Sequence, residues 1–266
     1  MNGNAELRRR AHAIRRTVIE MCRGRGQGYA GQGLGLADLM AVLYFSELGE
    51  DDHFVLSTGH SSIAVFAALH ERGDYELEEL VTYGMDGSRI EESPLEGTPG
   101  FEITGGSLGQ GLSQAVGLAL GERLRGGGSR VYCLVSDGEL QEGQVWEACM
   151  AAAHHRLDNL VLLVDNNRMQ ADGAVAEILE VEPVPERLTA FGFAARRIDA
   201  NTLADVVDAF AWARGQRGRP TALVCDNIPG KGVPSFEERQ RVHYVRAPDQ
   251  DWAAALVELD ETEVAW

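Results

Sequence analysis

Long apolar runs and paired cysteines are both missing from this sequence. No segment approaches the roughly 20 consecutive apolar residues that a membrane-spanning helix needs, and the arginine-rich start is followed by neither an apolar stretch nor a small-residue cleavage site. The four cysteines lie far apart, without a CxxC pair, in apolar stretches where a free thiol behaves as a small hydrophobe. These absences predict a cytoplasmic protein whose cysteines belong to the core.

Basic residues are also few. The chain has 24 Lys and Arg against 41 Asp and Glu, which gives a net charge of −17. Nucleic acids and anionic lipid surfaces are bound through clustered cations, and a field of this sign repels both. We therefore expect small-molecule substrates, with neither a nucleic acid nor a membrane as a partner.

The length of the chain limits its domain organisation. Its 266 residues, 44% of them hydrophobic, can bury one large core or two small ones. No repeat of fixed period and no linker divides the sequence. We therefore expect one domain over residues 1–266, with an acidic C-terminal helix from about residue 249.

Strands and helices alternate most clearly in the middle of the chain. A predicted strand at Val131–Val135 is followed by a helix at Gln144–His155 and a second strand at Leu160–Val164. This pattern is typical of a right-handed parallel crossover covered on both faces. The predicted fold is α/β, a doubly wound and mostly parallel sheet with helices on both faces. The other predicted elements are strands at Phe54–Leu56 and Thr221–Cys225 and helices at Ala5–Arg23, Leu36–Leu48, Ser61–Glu71, Gln110–Leu124 and Thr202–Arg214.

Polar residues follow the two central predicted strands, at the edge where parallel sheets bind ligands. Asp137 comes just after the first strand and Asn167 just after the next, one crossover later, so both side chains reach the same edge. A carboxylate and an amide oxygen there suit Mg²⁺ or Ca²⁺, and Mg²⁺ often shares its ligands with a phosphate. Gly138 leaves room for a diphosphate at a helix start. Taken alone, the SerAspGly segment is equally typical of a simple turn.

Four motifs together resemble the transketolase family. The segments SDGELQEGQVWEA and LVLLVDNNRMQADG are similar to the two parts of its thiamine diphosphate motif. FVLSTGH is similar to the segment that ends in a cofactor-contacting histidine, GGSLGQGLSQAVGLA to the glycine-rich loop and helix, and NIPGKGV to the ThrLysGlyLysGly loop. The motifs stand in the family's order over roughly residues 5–251. The resemblance implies the N-terminal, diphosphate-binding half of a transketolase.

The resemblance implies roles for the residues that match the diphosphate motif. Asp137 and Asn167, with the backbone carbonyl of Met169, would hold Mg²⁺. Gly138 and His60 would contact the diphosphate of the cofactor, and His60 is expected to be catalytic as well.

Further roles are implied around the thiamine ring. Gly106 and Leu108 would line the ring, and Glu139, next in sequence after the diphosphate glycine, is counted among the cofactor-binding residues. Glu142 and Glu147 match carboxylates that, in the family, lie between active sites and link the two cofactors, and they are expected to be catalytic. The alternative for both glutamates is an exposed helix face.

The substrate funnel departs from the family pattern. Where the family has histidines in GlyHisProGly and GlyHisPro, this chain has Tyr29 and Ser93. Near the C-terminus, alignment on an AlaPro pair puts Tyr244 at the position of a family histidine, whereas a shift of one residue gives that catalytic role to His243. Tyr and Ser cannot act as general bases near neutral pH as His can. The resemblance therefore implies an intact cofactor site and an altered substrate site.

The sequence ends before the domains that, in a full transketolase, hold the aminopyrimidine ring and supply the activating glutamate. The resemblance therefore implies a split enzyme, in which a separately encoded C-terminal subunit forms a heterodimer with this chain, and two heterodimers pair. Such an enzyme transfers a two-carbon ketol or acyl unit with thiamine diphosphate and Mg²⁺. Two alternatives stay open: a 2-oxo acid decarboxylase or acyl transferase subunit with the same cofactor, and a catalytically silent assembly subunit.

Overall fold

The computed structural model describes residues 3–239 and 241–264. The strands in these ranges are β1 (Gln27–Gly28), β2 (His53–Leu56), β3 (Val131–Ser136), β4 (Leu160–Asn166), β5 (Met169–Gln170), β6 (Gly173–Ala174), β7 (Ala194–Asp199), β8 (Thr221–Asp226) and β9 (Val245–Arg246). The α-helices are α1 (Gly3–Arg25), α2 (Ala30–Gly35), α3 (Ala37–Val42), α4 (Ser62–Arg72), α5 (Leu77–Leu80), α6 (Gly111–Leu124), α7 (Gly143–His154), α8 (Val175–Ile178), α9 (Val184–Ala190), α10 (Leu203–Gly215), α11 (Pro234–Glu237) and α12 (Asp249–Val264).

Five parallel strands form the central sheet, in the order β2-β3-β4-β8-β7. The chain leaves β4, runs to the edge strand β7 and returns to β8, which lies between them. The carboxyl ends of β3, β4 and β8 therefore lie side by side, at the edge where parallel sheets bind ligands. Two short antiparallel ladders join β1 to β9 and β5 to β6.

Strands β3 and β4 are buried along their whole length. This burial requires helices on both faces of the sheet, because successive side chains of a strand point to opposite sides. In β3, Tyr132 and Leu134 belong to one core, and Val131, Cys133 and Val135 belong to the other. The doubly wound α/β fold predicted from the sequence is confirmed.

The two faces of the sheet carry different helices. Helices α1, α3, α4 and α10 pack on one face, and α6, α7 and α9 cover the other. Helix α1 contacts α3, α4 and α12, and its buried residues Ile14, Val18 and Cys22 recur at helical spacing. The predicted C-terminal helix is present as α12, where the ring of Trp252 packs edge-on against Phe236. Among the described residues, no helix is long and apolar enough to span a membrane.

Several local elements differ from the sequence expectations. The predicted helix at Leu36–Leu48 is α-helical only to Val42 and continues as a π-helical turn over Leu43–Glu47. The glycine-rich stretch after α1 contains the short helix α2, which the sequence did not predict. Strand β7 and helix α9 were missed, because β7 is a partly exposed edge strand with little apolar patterning and α9 has only seven residues.

Residues 81–110 contain neither a helix nor a strand. The backbone nitrogen of Gly105 donates to the carbonyl of Pro94 at 2.9 Å, and the hydroxyl of Tyr75 donates to the carbonyl of Pro99 at 2.8 Å. The first bond closes the irregular segment on itself, and the second ties it to the chain after α4. The bond from the backbone nitrogen of Gly111 to the hydroxyl of Ser57 joins the end of the segment to the carboxyl end of β2.

Candidate functional site

Asp137 is fully buried at the carboxyl end of β3. Its Oδ1 accepts a hydrogen bond from the backbone nitrogen of Gly138 at 2.7 Å, and its Oδ2 accepts one from the backbone nitrogen of Arg168 at 2.5 Å. Burial nevertheless raises the pKa of Asp137 to about 7. Within the part of the chain that the structure describes, no cationic side chain pairs with this carboxylate, so a bound cation would stabilise its charged form.

Asn167 lies beyond the carboxyl end of β4 and is held by its neighbours. Its Nδ2 donates to Oδ2 of Asp165 at 2.8 Å, and its Oδ1 accepts from the backbone nitrogen of Met169 at 2.9 Å. Asp165 also accepts a hydrogen bond from Nδ2 of Asn227, which follows β8. One buried carboxylate thus fixes amides from two neighbouring strand ends.

Sequence reasoning missed Asp165 and Asn227. The available signal was a carboxylate at the end of the otherwise apolar strand β4, where a fully buried charge needs partners. Burial, together with the charge of Asp137, raises the pKa of Asp165 to about 7. A cation bound between these two buried carboxyl groups would stabilise their charged forms.

The donor set fits a hard cation bound together with a ligand. No three His, Cys, Asp or Glu side chains converge as a metal cluster within residues 3–239 and 241–264. A cation beside Asp137 would therefore take an amide oxygen from Asn167, a backbone carbonyl and oxygens from the ligand itself. Mg²⁺ bound with a phosphate is typically held in this way.

Gly138, which has no side chain, lies beside the oxygens of Asp137 and Asn167. A Cβ at Gly138 would lie 3.3 Å from Oε1 of Gln170, closer than most contacts of this kind. That oxygen is buried and has no hydrogen-bond partner among the described residues. An acceptor without a partner, next to a glycine, suits a hydrated cation, because the water ligands of the cation can donate to Oε1 of Gln170.

Glu139 anchors the loops around the site. Its side chain is fully buried, and its Oε1 accepts hydrogen bonds from the hydroxyl of Ser57 and, at 2.7 Å, from the backbone nitrogen of Gly109. The hydroxyl of Ser57 in turn accepts from the backbone nitrogen of Gly111 at 3.0 Å. Burial raises the pKa of Glu139 despite these bonds. The contacts described place this residue as a support for the glycine-rich loop.

The glycine-rich loop lies directly against the chain after β2. A Cβ at Gly59 would collide with the backbone nitrogen of Gly106, and one at Gly105 would lie 2.8 Å from Cα of Gly59. Gly106 also has a φ of +108°, which side chains with a Cβ rarely adopt. Ser93 packs beside both segments, since its hydroxyl would lie 2.9 Å from a Cβ at Gly59. The predicted residues Gly106 and Ser93 are therefore brought next to His60.

His60, His243 and Tyr29 form a ring cluster. The ring centroids of His60 and His243 are 5.2 Å apart, and Tyr29 lies 5.4 Å from His60 and 5.6 Å from His243. Burial lowers the pKa of His60 to about 3 and that of His243 to about 4. Both imidazoles are therefore neutral near pH 7 and can donate through one nitrogen and accept through the other.

The side chains of Tyr244 and its neighbour His243 contact different residues. Its ring packs edge-on against Tyr29 at 4.9 Å, and its hydroxyl donates to Oε1 of Glu92 at 2.9 Å. Arg25 binds the same carboxylate oxygen at 2.9 Å. Burial and the hydrogen bond to Glu92 raise the pKa of Tyr244 to about 12, so its hydroxyl stays protonated. Of the two candidates near the C-terminus, His243 is the one whose ring contacts His60.

Leu108, Glu142 and Glu147 are exposed. Leu108 shows 37% of its surface, and Glu142 packs its Cβ near Gly109, one residue further along the loop. Glu142 is the residue before α7, and Glu147 lies in the second turn of that helix. The catalytic roles expected for the two glutamates stay predictions.

The structure therefore brings most of the predicted residues to one edge of the sheet, in two groups. The first group lies around the ends of β3 and β4. The second group consists of the ring cluster and the residues that pack beside it. The first group contains Asp137, Gly138, Glu139, Asn167 and Met169, and the second contains Tyr29, His60, Ser93, Gly106, His243 and Tyr244. The sequence did not identify Asp165, Asn227, Ser57 and Glu92 as site residues. It also did not identify Gln32, whose side chain contacts the ring of His243.

Comparison with known families decides the identity of this domain. The profile described as "Transketolase, thiamine diphosphate binding domain" matches residues 7–257. The chain belongs to this transketolase family. The resemblance inferred from the four motifs is confirmed, and the chain is a transketolase-like transferase subunit with a thiamine diphosphate-binding domain.

Relatives of the same length are known for this transketolase domain. A transketolase family protein of Sinorhizobium fredii is 46% identical, over 97% of this chain and 96% of the relative. The 6-deoxy-6-sulfo-D-fructose transketolase subunit of a Clostridium species is 34% identical, over 96% and 97%. An apulose-4-phosphate transketolase subunit of Actinobacillus succinogenes is 32% identical, over 96% of each chain.

The solved transketolases are about twice as long. The crystal structure of transketolase from Campylobacter jejuni superposes with a TM-score of 0.85 and 27% identity. The match covers 100% of this chain and 48% of that one. The α/β fold is therefore that of the thiamine diphosphate-binding part of a transketolase.

Proposed function

We propose that this chain is the diphosphate-binding subunit of a split transketolase and acts with a separately encoded C-terminal subunit. The observation that carries the proposal is the end-to-end match with two relatives that are named as transketolase subunits. A full-length transketolase contains about as much chain again. The polar groups gathered at the sheet edge supply only one half of a cofactor site.

In this proposal Asp137, Asn167 and the backbone carbonyl of Met169 hold Mg²⁺, while Gly138 and His60 contact the diphosphate. The raised pKa of Asp137, caused by burial, supports a cation at this carboxylate. When bound, thiamine diphosphate supplies an electron sink for a two-carbon carbanion. The residues of this chain position the cofactor and the metal.

The ring cluster supplies hydrogen bonds and excludes water. His60 and His243 are neutral, so each ring can donate one hydrogen bond to a substrate oxygen. The ring of Tyr29 contacts both histidine rings and the ring of Tyr244, and it adds an apolar face to the cluster. These groups move or hold protons at substrate oxygens.

The partner subunit would cover the exposed side of the site. Leu108, Glu142 and Glu147 are exposed, and Glu142 lies near Gly109, next to Leu108 in the glycine-rich loop. An exposed apolar side chain with a carboxylate nearby fits a protein interface. We propose that this surface meets the C-terminal subunit and that two heterodimers pair through it. The cytoplasmic location expected from the sequence stays a prediction.

The proposed reaction is ketol transfer with a donor or acceptor other than an ordinary ketose phosphate. Two relatives act, by their names, on 6-deoxy-6-sulfo-D-fructose and apulose 4-phosphate. In this chain Tyr29 and Ser93 replace two family imidazoles, so hydrogen bonds to sugar hydroxyls are changed. The names of the relatives favour ketol transfer over decarboxylation of a 2-oxo acid.

Reconstitution tests this proposal. The chain is purified alone and with the product of a reading frame that encodes the aminopyrimidine-binding half, and each sample is assayed with a panel of ketose phosphates, sulfosugars and 2-oxo acids. We expect no turnover by the chain alone and ketol transfer by the complex. Turnover by the single chain would refute the split arrangement. Turnover of 2-oxo acids only would support the decarboxylase, and an inactive complex that binds cofactor would support an assembly subunit.

A further inference from the structure

Gln32 is a buried polar residue that the cofactor site does not explain. It lies in α2 and is 1% exposed. Its helix is pressed against two neighbours, since a Cβ at Gly31 would collide with the carbonyl of Val242 and one at Gly33 would lie 2.7 Å from Cγ1 of Val18. The close packing fixes the position of Gln32 relative to the chain that carries His243.

The side chain of Gln32 makes one polar contact within the described residues, to the ring of His243. Its Nε2 lies within hydrogen-bond distance of Nδ1 of that histidine. In this orientation of the amide its nitrogen is the donor, so Nδ1 accepts and carries no proton. In a neutral imidazole the remaining proton then sits on Nε2. Burial lowers the pKa of His243 to about 4, which keeps the ring neutral.

The ring of His243 belongs to the ring cluster, and its centroid lies 5.2 Å from that of the His60 ring. With Nδ1 bonded to Gln32, only Nε2 is available to any other partner, and it can only donate. We propose that Gln32 is a positioning residue that fixes the Nε2–H tautomer of His243, so that this ring offers the substrate a hydrogen-bond donor and not a base. This inference rests on the proposed ketol-transfer function.

A donor at this place suits a carbonyl or alkoxide oxygen of the substrate, on which negative charge develops during transfer. The opposite arrangement is chemically possible, because an amide turned over would place Oε1 against Nδ1–H and leave Nε2 as a base. Oε1 of Gln32 is buried and has no partner among the described residues. The tautomer of His243 is therefore the decisive observable.

Nitrogen NMR measures this tautomer without any assay of activity. The full chain is labelled with ¹⁵N-histidine, and His243 is assigned by its loss in the His243→Gln variant. At pH 7.5 we expect a protonated Nε2 and an unprotonated Nδ1. Gln32→Glu should move the proton to Nδ1 or protonate both nitrogens, because a carboxylate only accepts. Gln32→Met should give a mixture of tautomers.

Controls separate this effect from a change in folding. Gln114, an exposed residue of α6, receives the same two substitutions and should leave the His243 signals unchanged. Circular dichroism and thermal unfolding show whether each variant is folded. A protonated Nδ1 in the parent chain, or His243 signals that are identical in the parent, Gln32→Glu and Gln32→Met, would overturn the proposal.

Kinetics with the assembled enzyme test the consequence for the reaction. We expect Gln32→Met to lower kcat roughly 10- to 100-fold with less than a threefold change in KM, because proton positioning contributes mainly in the transition state. An unchanged kcat in a variant with a changed tautomer would refute the positioning role. If the parent complex shows no ketol transfer while the tautomer is as expected, the proposed function fails and the assignment of the Gln32 bond stands.

Discussion

The imidazole rings of His60 and His243 lie 5.2 Å apart between their centroids. His60 follows β2 and His243 precedes β9, so only the folded chain brings them together. Burial, with a contribution from the charge of His243, lowers the pKa of His60 to about 3, and burial lowers the pKa of His243 to about 4. Two neighbouring buried rings of this kind are stable only when neutral.

We expect these two histidines to make the chain less stable in mild acid. Their ordinary pKa is 6.5, so below that pH the unfolded chain binds protons that the folded chain excludes. Stability present above pH 6.5 is lost as the pH falls towards 4, by about 1.4 kcal/mol for each histidine at pH 5.5. Urea unfolding at pH 7.5 and 5.5 measures the loss.

The double variant His60→Gln/His243→Gln should lose about 2–3 kcal/mol less than the parent chain between these pH values. Asp137 and Asp165, whose pKa values are raised, act in the opposite direction in both proteins and cancel in the comparison. His155→Gln, at an exposed position, is the matched control and should follow the parent. Equal pH dependence in the parent and the double variant would show that the rings are not held neutral.

Asp137→Ala should weaken the binding of Mg²⁺ and thiamine diphosphate to the assembled enzyme roughly 100-fold or more. Loss of an outer-shell partner of a metal already costs about 10- to 100-fold, and in the proposed site Asp137 is a direct ligand. Isothermal titration with the cofactor and Mg²⁺ measures the affinity. Asp172→Ala, an exposed carboxylate between β5 and β6, serves as the control. Full affinity in Asp137→Ala would exclude this residue as a ligand.

Glu139→Ala should destabilise the chain by about 2–4 kcal/mol, because the hydroxyl of Ser57 and the N–H of Gly109 lose a buried acceptor. Glu139→Gln keeps an oxygen that can accept both bonds and should lose less. Urea unfolding gives the two values, and proteolysis within residues 105–111 should accelerate in the alanine variant. Equal stability of all three proteins would mean that the loop does not depend on this carboxylate.

Tyr29→His and Ser93→His together should raise kcat/KM for xylulose 5-phosphate with ribose 5-phosphate as the acceptor, by roughly 30-fold. Each restored imidazole adds a hydrogen bond worth about 1 kcal/mol to a sugar hydroxyl. The parent complex should use this donor poorly, because a sugar hydroxyl that is buried without the hydrogen bond of the missing imidazole pays a desolvation cost. A parent kcat/KM equal to that of an ordinary metabolic transketolase would contradict the prediction.

The local sequence was sufficient to predict the sheet strands with continuous apolar runs. Such runs bury both faces, so β3, β4 and β8 were located within one or two residues, and the residues after them marked the functional edge. Asp137, Gly138 and Asn167 were predicted at this edge for this reason, and the structure has them there. Strand β7 was missed because a partly exposed edge strand has no such signal.

Tertiary structure decided which distant residues share the site. Nothing local in the sequence links Gln32 to His243 or Ser57 to Glu139, since these pairs form only when loops from different strands meet. The register near the C-terminus was open for the same reason: His243 and Tyr244 are adjacent in sequence, and only packing against Tyr29 and His60 directs the imidazole to one partner and the phenol to Glu92. Apolar periodicity is a local property of the chain, and polar pairing across loops is a property of the fold.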